Sequence, residues 1–156
     1  MGAISFDWQR MKNIQQIHRV LYALGLGPIV GKIVLLLTTT GRKSGKLRVT
    51  PLQYEEIDGA YYLGAARGLQ ADWVCNIQAN PKVDVQVKAR HFQGIAEVVT
   101  NPGQIADFLE VRLKRHPRMI GLMMERVHHL TKRPTRAQLE ELAKTEALVI
   151  IRPDAM

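Results

Sequence analysis

A chain of 156 residues with 22 Lys and Arg against 14 Asp and Glu, a formal charge of +8, suits one domain with a real core and an anionic partner. Its single cysteine, Cys75, excludes an internal disulfide and a thiolate metal cluster, and fits a reducing compartment. MGAISFDWQR lacks a signal peptide's basic start and apolar core, and the apolar stretch 21–37 is broken by Gly25, Gly27, Pro28, Gly31 and Lys32, so a cytoplasmic protein is expected.

In chain order, Asp7–Leu24 reads as an amphipathic helix, with Ile14, Ile17, Val20, Leu21 and Leu24 on one stripe, Ser5 or Asp7 as cap and Gly25 as stop. Gly25–Gly31 is a connector, and His18 is expected at the surface. Strands are predicted over Ile33–Thr39 and Leu47–Ile57, with an Asp58-Gly59 turn into a third, Ala60–Ala66. Gln70–Asn80 reads as a short helix that stops before Pro81. Val83, Val85 and Val87 then alternate with Asp84 and Gln86, and Phe92–Thr100 returns as the antiparallel partner.

Asn101-Pro102-Gly103-Gln104 has the cap, the proline and the spacing of a helix start, with periodicity continuing to Arg115. A further helix is predicted over Arg118–Leu130, Thr135 and Gln138 form a capping box, and Ala147–Ile151 is a short buried strand. The class is α+β: about six mostly antiparallel strands with flanking helices, in one domain. Its parts are an N-terminal helix and connector (1–31), a barrel (32–100), and helices with a last strand (101–156).

The richest stretch chemically is LLLTTTGRKSGKLRVTPL, Leu35–Leu52. Between two apolar runs lies a Gly-bounded turn with Arg42, Lys43, Lys46 and Arg48 as cations and Ser44 and Thr50 as neutral donors, suited to a phosphate or carboxylates. It is not a nucleotide P-loop: three residues, not four, separate Gly41 from Gly45, and Leu47 follows Lys46. A solvated hairpin tip would have the same composition.

TTTGRKSGKLRVTPL, then AARG at Ala65–Gly68, then DWVCNIQANPKVDVQV at Asp72–Val87 together resemble the deazaflavin-dependent nitroreductase family, also called flavin/deazaflavin oxidoreductases. The resemblance runs from about Val34 to Val99 and implies a split β-barrel of the FMN-binding type. It also implies coenzyme F420, an 8-hydroxy-5-deazaflavin with a phosphate and a glutamyl tail, as redox partner, with FMN or a fatty acid as the alternative ligand. Lys43 and Arg48 match positions that hold phosphate and tail, with Arg42, Ser44 and Lys46 assisting. Val49, Thr50, Pro51 and Leu52 fall beside the ring, and Ala65, Ala66, Arg67 and Gly68 form the second wall. Many relatives carry Ser-Lys where this chain has Ala66-Arg67, so a hydroxyl is lost. Trp73 and Asn76 fall on one helix face at ring-contact positions.

The resemblance fades after Thr100. The best-known branch sets tyrosines over the ring there, whereas RHPRMIGLMMERVHHLTKRP offers Met119, Met123 and Met124 and no tyrosine. His116, His128 and His129 are candidate proton donors, and their spacing does not suit a metal. The implied reaction is hydride transfer from the reduced deazaflavin to a quinone, nitroaromatic or other apolar acceptor, with no catalytic side chain assigned. A basic nucleic-acid or membrane-surface binder using Arg112–Arg136 is the rival class, and the lack of interleaved aromatics there weighs against nucleic acid. Weak peripheral membrane contact and, by analogy with split barrels, a homodimer complete the expectations.

Overall fold

The computed structural model describes residues 34–154. The helix Asp7–Leu24, the Gly25–Gly31 connector, His18 and the strand start at Ile33 lie outside them. The elements in order are β1 (Val34–Thr40), β2 (Leu47–Gln53), β3 (Glu55–Ile57), β4 (Ala60–Ala65), a 3₁₀ turn (Gly68–Gln70) and α1 (Asp72–Ala79). They continue with β5 (Lys82–Val87), β6 (Arg90–Val99), α2 (Pro102–Arg115), α3 (Pro117–Arg126), α4 (Arg136–Ala143) and β7 (Ala147–Pro153). The sheet is antiparallel, in the order β2-β1-β5-β6-β7-β4-β3.

That order forces the sheet to curl. β2 and β3 occupy its opposite edges, yet Tyr54 alone separates them in the chain. Seven flat strands would hold the edges about 29 Å apart, whereas two residue steps cover only about 7 Å. The sheet therefore curls until its two edges come together at Tyr54, which is the split β-barrel. The predicted single strand Leu47–Ile57 is thus two, one on each edge, and the described residues hold seven strands rather than six. Periodicity carries no mark of such a break, because Tyr54 is itself a good strand residue.

Alternation sorts side chains into two cores. From β7, Ala147, Val149 and Ile151 face the barrel interior with Leu35, Leu37, Tyr61, Leu63, Val83 and Val85. Leu148 and Ile150 face the opposite way, onto Ile105, Phe108, Leu109, Ile120, Met124 and Leu139 of the helices. Both predicted helix caps are present: Asn101 Oδ1 accepts from Gln104 N (3.0 Å), and Thr135 and Gln138 complete a reciprocal capping box. α3 ends at Arg126, short of the expected Leu130. His129 takes a left-handed conformation (φ 57°), and Leu130 N closes onto the Met124 carbonyl at 2.9 Å.

Candidate active site

The basic turn is built by its glycines. Gly45 sits at φ +71°, where a side chain is strained. Gly41 is needed for close approach, since a Cβ there would stand 2.8 Å from Ser44 Oγ and 3.1 Å from the Lys46 carbonyl. Gly41 N donates to the Lys46 carbonyl (2.7 Å), Gly45 N donates to the Gly41 carbonyl (2.8 Å), and Ser44 Oγ accepts from Lys46 N (3.2 Å). Ser44 thereby supports the turn as well as facing solvent.

α1 fastens this turn in place. Asn76 is buried, and its Oδ1 accepts from both Arg42 N (3.2 Å) and Arg42 Nη1 (2.9 Å) while its Nδ2 donates to Thr39 Oγ1 (3.2 Å). Arg42 also reaches the Asp72 carboxylate at 3.3 Å. Asn76 therefore has a structural duty, with both ends of its amide engaged by β1 and the turn. Lys43, Lys46 and Arg48 are exposed and have no carboxylate partner among the described residues. Three cations are thus presented outward while the fourth anchors the loop.

From this turn runs a seam. Among the described residues β2 pairs with β1 alone, and β4 pairs with β3 only as far as Tyr62. Continuing the Glu55–Tyr62 register would set Gln53 opposite Gly64 and Pro51 opposite Ala66, but the ladder stops. Pro51 has no N–H to offer and Gly64 no side chain to pack, so the sequence weakens pairing where the strands part. One bank carries half-buried Val49, Thr50, Pro51 and Leu52, and the other carries buried Ala65 with exposed Ala66 and Arg67. Gly68 is dictated twice over: its φ is +58°, and a Cβ would stand 2.7 Å from the Thr145 carbonyl.

Trp73 is half-buried against the barrel core. Cys75 Sγ donates to the Leu69 carbonyl (3.1 Å), a packing role. Met124 is buried and Met119 and Met123 pack on the helical core, so these methionines serve first as core.

Sequence reasoning missed the charged cluster at the far end of the seam. Arg112 is buried; its Nε lies 3.4 Å from Glu55 Oε2, and its Nη2 donates to Gln53 Oε1. Arg115 and His116 each reach Glu55 Oε1 at 3.3 Å. Burial lowers the Arg112 pKa, against the opposing pull of Glu55 and Glu146. Burial also pushes Glu146 up to about 7, despite Arg112, and pulls His128 down. His128 Nε2 and Glu146 Oε1 lie 3.8 Å apart, and both shifts favour the neutral forms, so this contact is not a strong ion pair. One signal was available: Arg112 falls on the same helical stripe as Ile105, Phe108 and Leu109, and a charge on an apolar stripe needs a buried partner.

Residues 11–119 match the model of the F420H(2)-dependent quinone reductase family. F420H(2)-dependent quinone reductases of two Mycobacterium tuberculosis strains are 37% identical over 68 residues. That match covers 42% of this chain and 46% of each relative, so the chain spans about half the length of the curated relatives it matches. Among solved structures, an F420-H2 dependent reductase superposes with a TM-score of 0.51 at 24% identity, covering 78% of this chain and 95% of the other. A chain described as a domain-swapped dimer gives 0.53 at 22% identity, covering 94% and 98%. The heme storage protein HutZ of Vibrio cholerae gives 0.54 at 16% identity, covering 80% and 84%. With most of its length matched by one family model and its described strands rolled into a split barrel, the chain belongs to the F420H(2)-dependent quinone reductase family.

Proposed function

We propose that this chain is an oxidoreductase that binds reduced coenzyme F420 along the seam and passes a hydride to a quinone. The observation that carries this reading is the fastening of an exposed tricationic turn, through Arg42, Asn76 and Thr39, at the mouth of a split between two small-residue strand edges. Lys43, Lys46 and Arg48 suit the phosphate and glutamyl carboxylates in charge and donor type. Thr50, Pro51, Leu52, Ala65 and Ala66 suit a flat heterocycle, since they add little bulk and few competing donors.

The coenzyme, when bound, supplies the hydride from its C5. The chain's residues hold it by the anionic end, orient the ring between the two banks and limit water around it. Titration with oxidised coenzyme F420 should shift its absorbance or fluorescence at micromolar levels, with FMN binding much more weakly. Tight FMN binding without a deazaflavin response would replace this reading by the FMN one. Because the segment after β6 lacks tyrosine, an apolar quinone should be turned over faster than a bicyclic nitroimidazole, and equal steady-state rates would show that those rings do not matter.

A second reading concerns where the quinone is met. No described helix is long and apolar enough to cross a membrane. α3 and the residues after it nevertheless expose Leu122 (38%) and Val127 (60%) beside exposed Arg118, Arg126, Lys132 and Arg133. Such a mixed surface fits peripheral contact with anionic lipid. Co-sedimentation with anionic but not zwitterionic vesicles is the expected result, and equal recovery with both would remove the reading. A homodimer belongs to the same proposal: Leu47 and Ile95 are each nearly half exposed beside a hollow of about 350 Å³ on the outer sheet face. Light scattering reads the mass directly, and a monomer would exclude self-association.

A further inference from the structure

The two banks of the seam are held by different strands, yet one helix touches both. Phe108 and Arg112 of α2 are four residues apart and therefore share a face. Phe108 stacks on Tyr62 of β4 (centroids 6.2 Å, interplanar angle 19°) and lies so close to Gly64 that a Cβ there would meet its ring at 3.3 Å. Arg112, whose guanidinium carbon sits 5.9 Å from the Phe108 ring centroid, donates to Gln53 at the end of β2 and meets Glu55 at the start of β3. Gln53 and Glu55 flank Tyr54, where the chain crosses from one sheet edge to the other. Arg115 and, just past the helix end, His116 reach the same Glu55, so the β2–β3 corner is tied to α2 and its C-terminal cap at several points.

We propose that α2 is the spacer of the seam, with Arg112 and Phe108 as positioning residues that fix how far the β2 bank stands from the β4 bank. Neither touches the exposed turn that would take the phosphate and tail, so gripping the coenzyme and setting the ring's fit are divided between the two ends of the seam. The proposal rests on the reading that the coenzyme ring lies between the banks. Its structural half, control of the gap by α2, does not need the coenzyme.

The test uses Gln53→Leu, which removes one bond and leaves the buried charges in place, together with Arg112→Met, Arg112→Lys and the wild type. Hydrogen–deuterium exchange on the unliganded proteins should rise at least tenfold in peptides covering 49–53 and 63–66 for Gln53→Leu and Arg112→Met. Peptides of α4 and of the β5–β6 hairpin should not change. With coenzyme F420 bound, the dissociation constant should move by less than about threefold while the single-turnover hydride rate falls at least tenfold, because small misplacements of reacting groups are costly in rate. Arg112→Lys should recover part of both effects.

Exchange that rises across the whole sheet in step with a lower melting temperature would reduce Arg112 to a packing residue and overturn the proposal. Unchanged exchange at the seam in Gln53→Leu would do the same. If the wild type fails to bind the coenzyme, the proposed function falls, and the exchange measurement still decides whether α2 sets the gap.

Discussion

At the scale of single residues, the basic turn separates binding from chemistry. Lys43 and Arg48 would contact groups that do not change during hydride transfer, so their interactions are equal in ground and transition states. Each alanine substitution should raise the coenzyme dissociation constant and KM and leave kcat nearly intact. With a charge-assisted hydrogen bond at roughly 1.5–3 kcal/mol, the weakening is about 10- to 150-fold per residue. Added salt should weaken the wild type more than the double variant, because exposed charges are screened. Equal affinity for all variants would return the turn to a solvated hairpin tip. Glu146 makes a different prediction. Burial lifts its pKa from 4.5 to about 7 against the pull of Arg112. An acid with a folded pKa above its unfolded one stabilises the fold below the unfolded value, and that contribution is lost as pH rises through the folded value. The charged and titratable neighbours are Arg112 and His128, and His128 is shifted the opposite way, downward by burial and His129. Comparing Glu146→Gln with its parent at each pH in a His128→Gln background removes the histidine's own titration. The melting-temperature difference should grow in favour of the variant from about pH 5 to about pH 8, and a constant difference would show that the acid is not buried.

Elements show what the sequence makes legible. The Thr135–Gln138 box, the Asn101-Pro102 start and the Val83–Val87 alternation depend on neighbours in the chain, and all three stand in the structure as read. So does the turn itself, because Gly41 and Gly45 encode it locally. The break at Tyr54 was not legible, since it comes from barrel closure rather than from local preference. The partners of Asn76, Thr39 and Arg42, are likewise more than thirty residues away, and no spacing rule reports them. The Gln53–Arg112 bond spans still more chain. A local device makes a local prediction: Thr135→Ala should cost about 1 kcal/mol, with Thr135→Ser nearly neutral, by urea denaturation. A loss of equal size in both would mean that the threonine methyl group, not the cap, matters.

For the molecule as a whole, the decisive feature is that β7 feeds two cores at once. Leu148 is buried among the helices and Ile151 in the barrel, on opposite faces of one strand that also carries hydrogen bonds to β4 and β6. Neither core can lose its β7 face without moving the other, since shifting a strand by one residue exchanges its two faces. The helices and the barrel should therefore melt as one cooperative unit despite their separate packing. Leu148→Ala and Ile151→Ala should each lower stability by about 2–5 kcal/mol. The test uses two probes in a Trp8→Phe background: fluorescence of Trp73, which packs on the barrel core, and far-ultraviolet circular dichroism, dominated by the helices. The two unfolding curves should coincide in the parent and in both variants. If Leu148→Ala shifted the dichroism midpoint while the Trp73 midpoint stayed in place, the helical layer would be a separable cap. α2 could then not act as a fixed spacer, because an element that opens independently cannot hold two strand edges at a set distance.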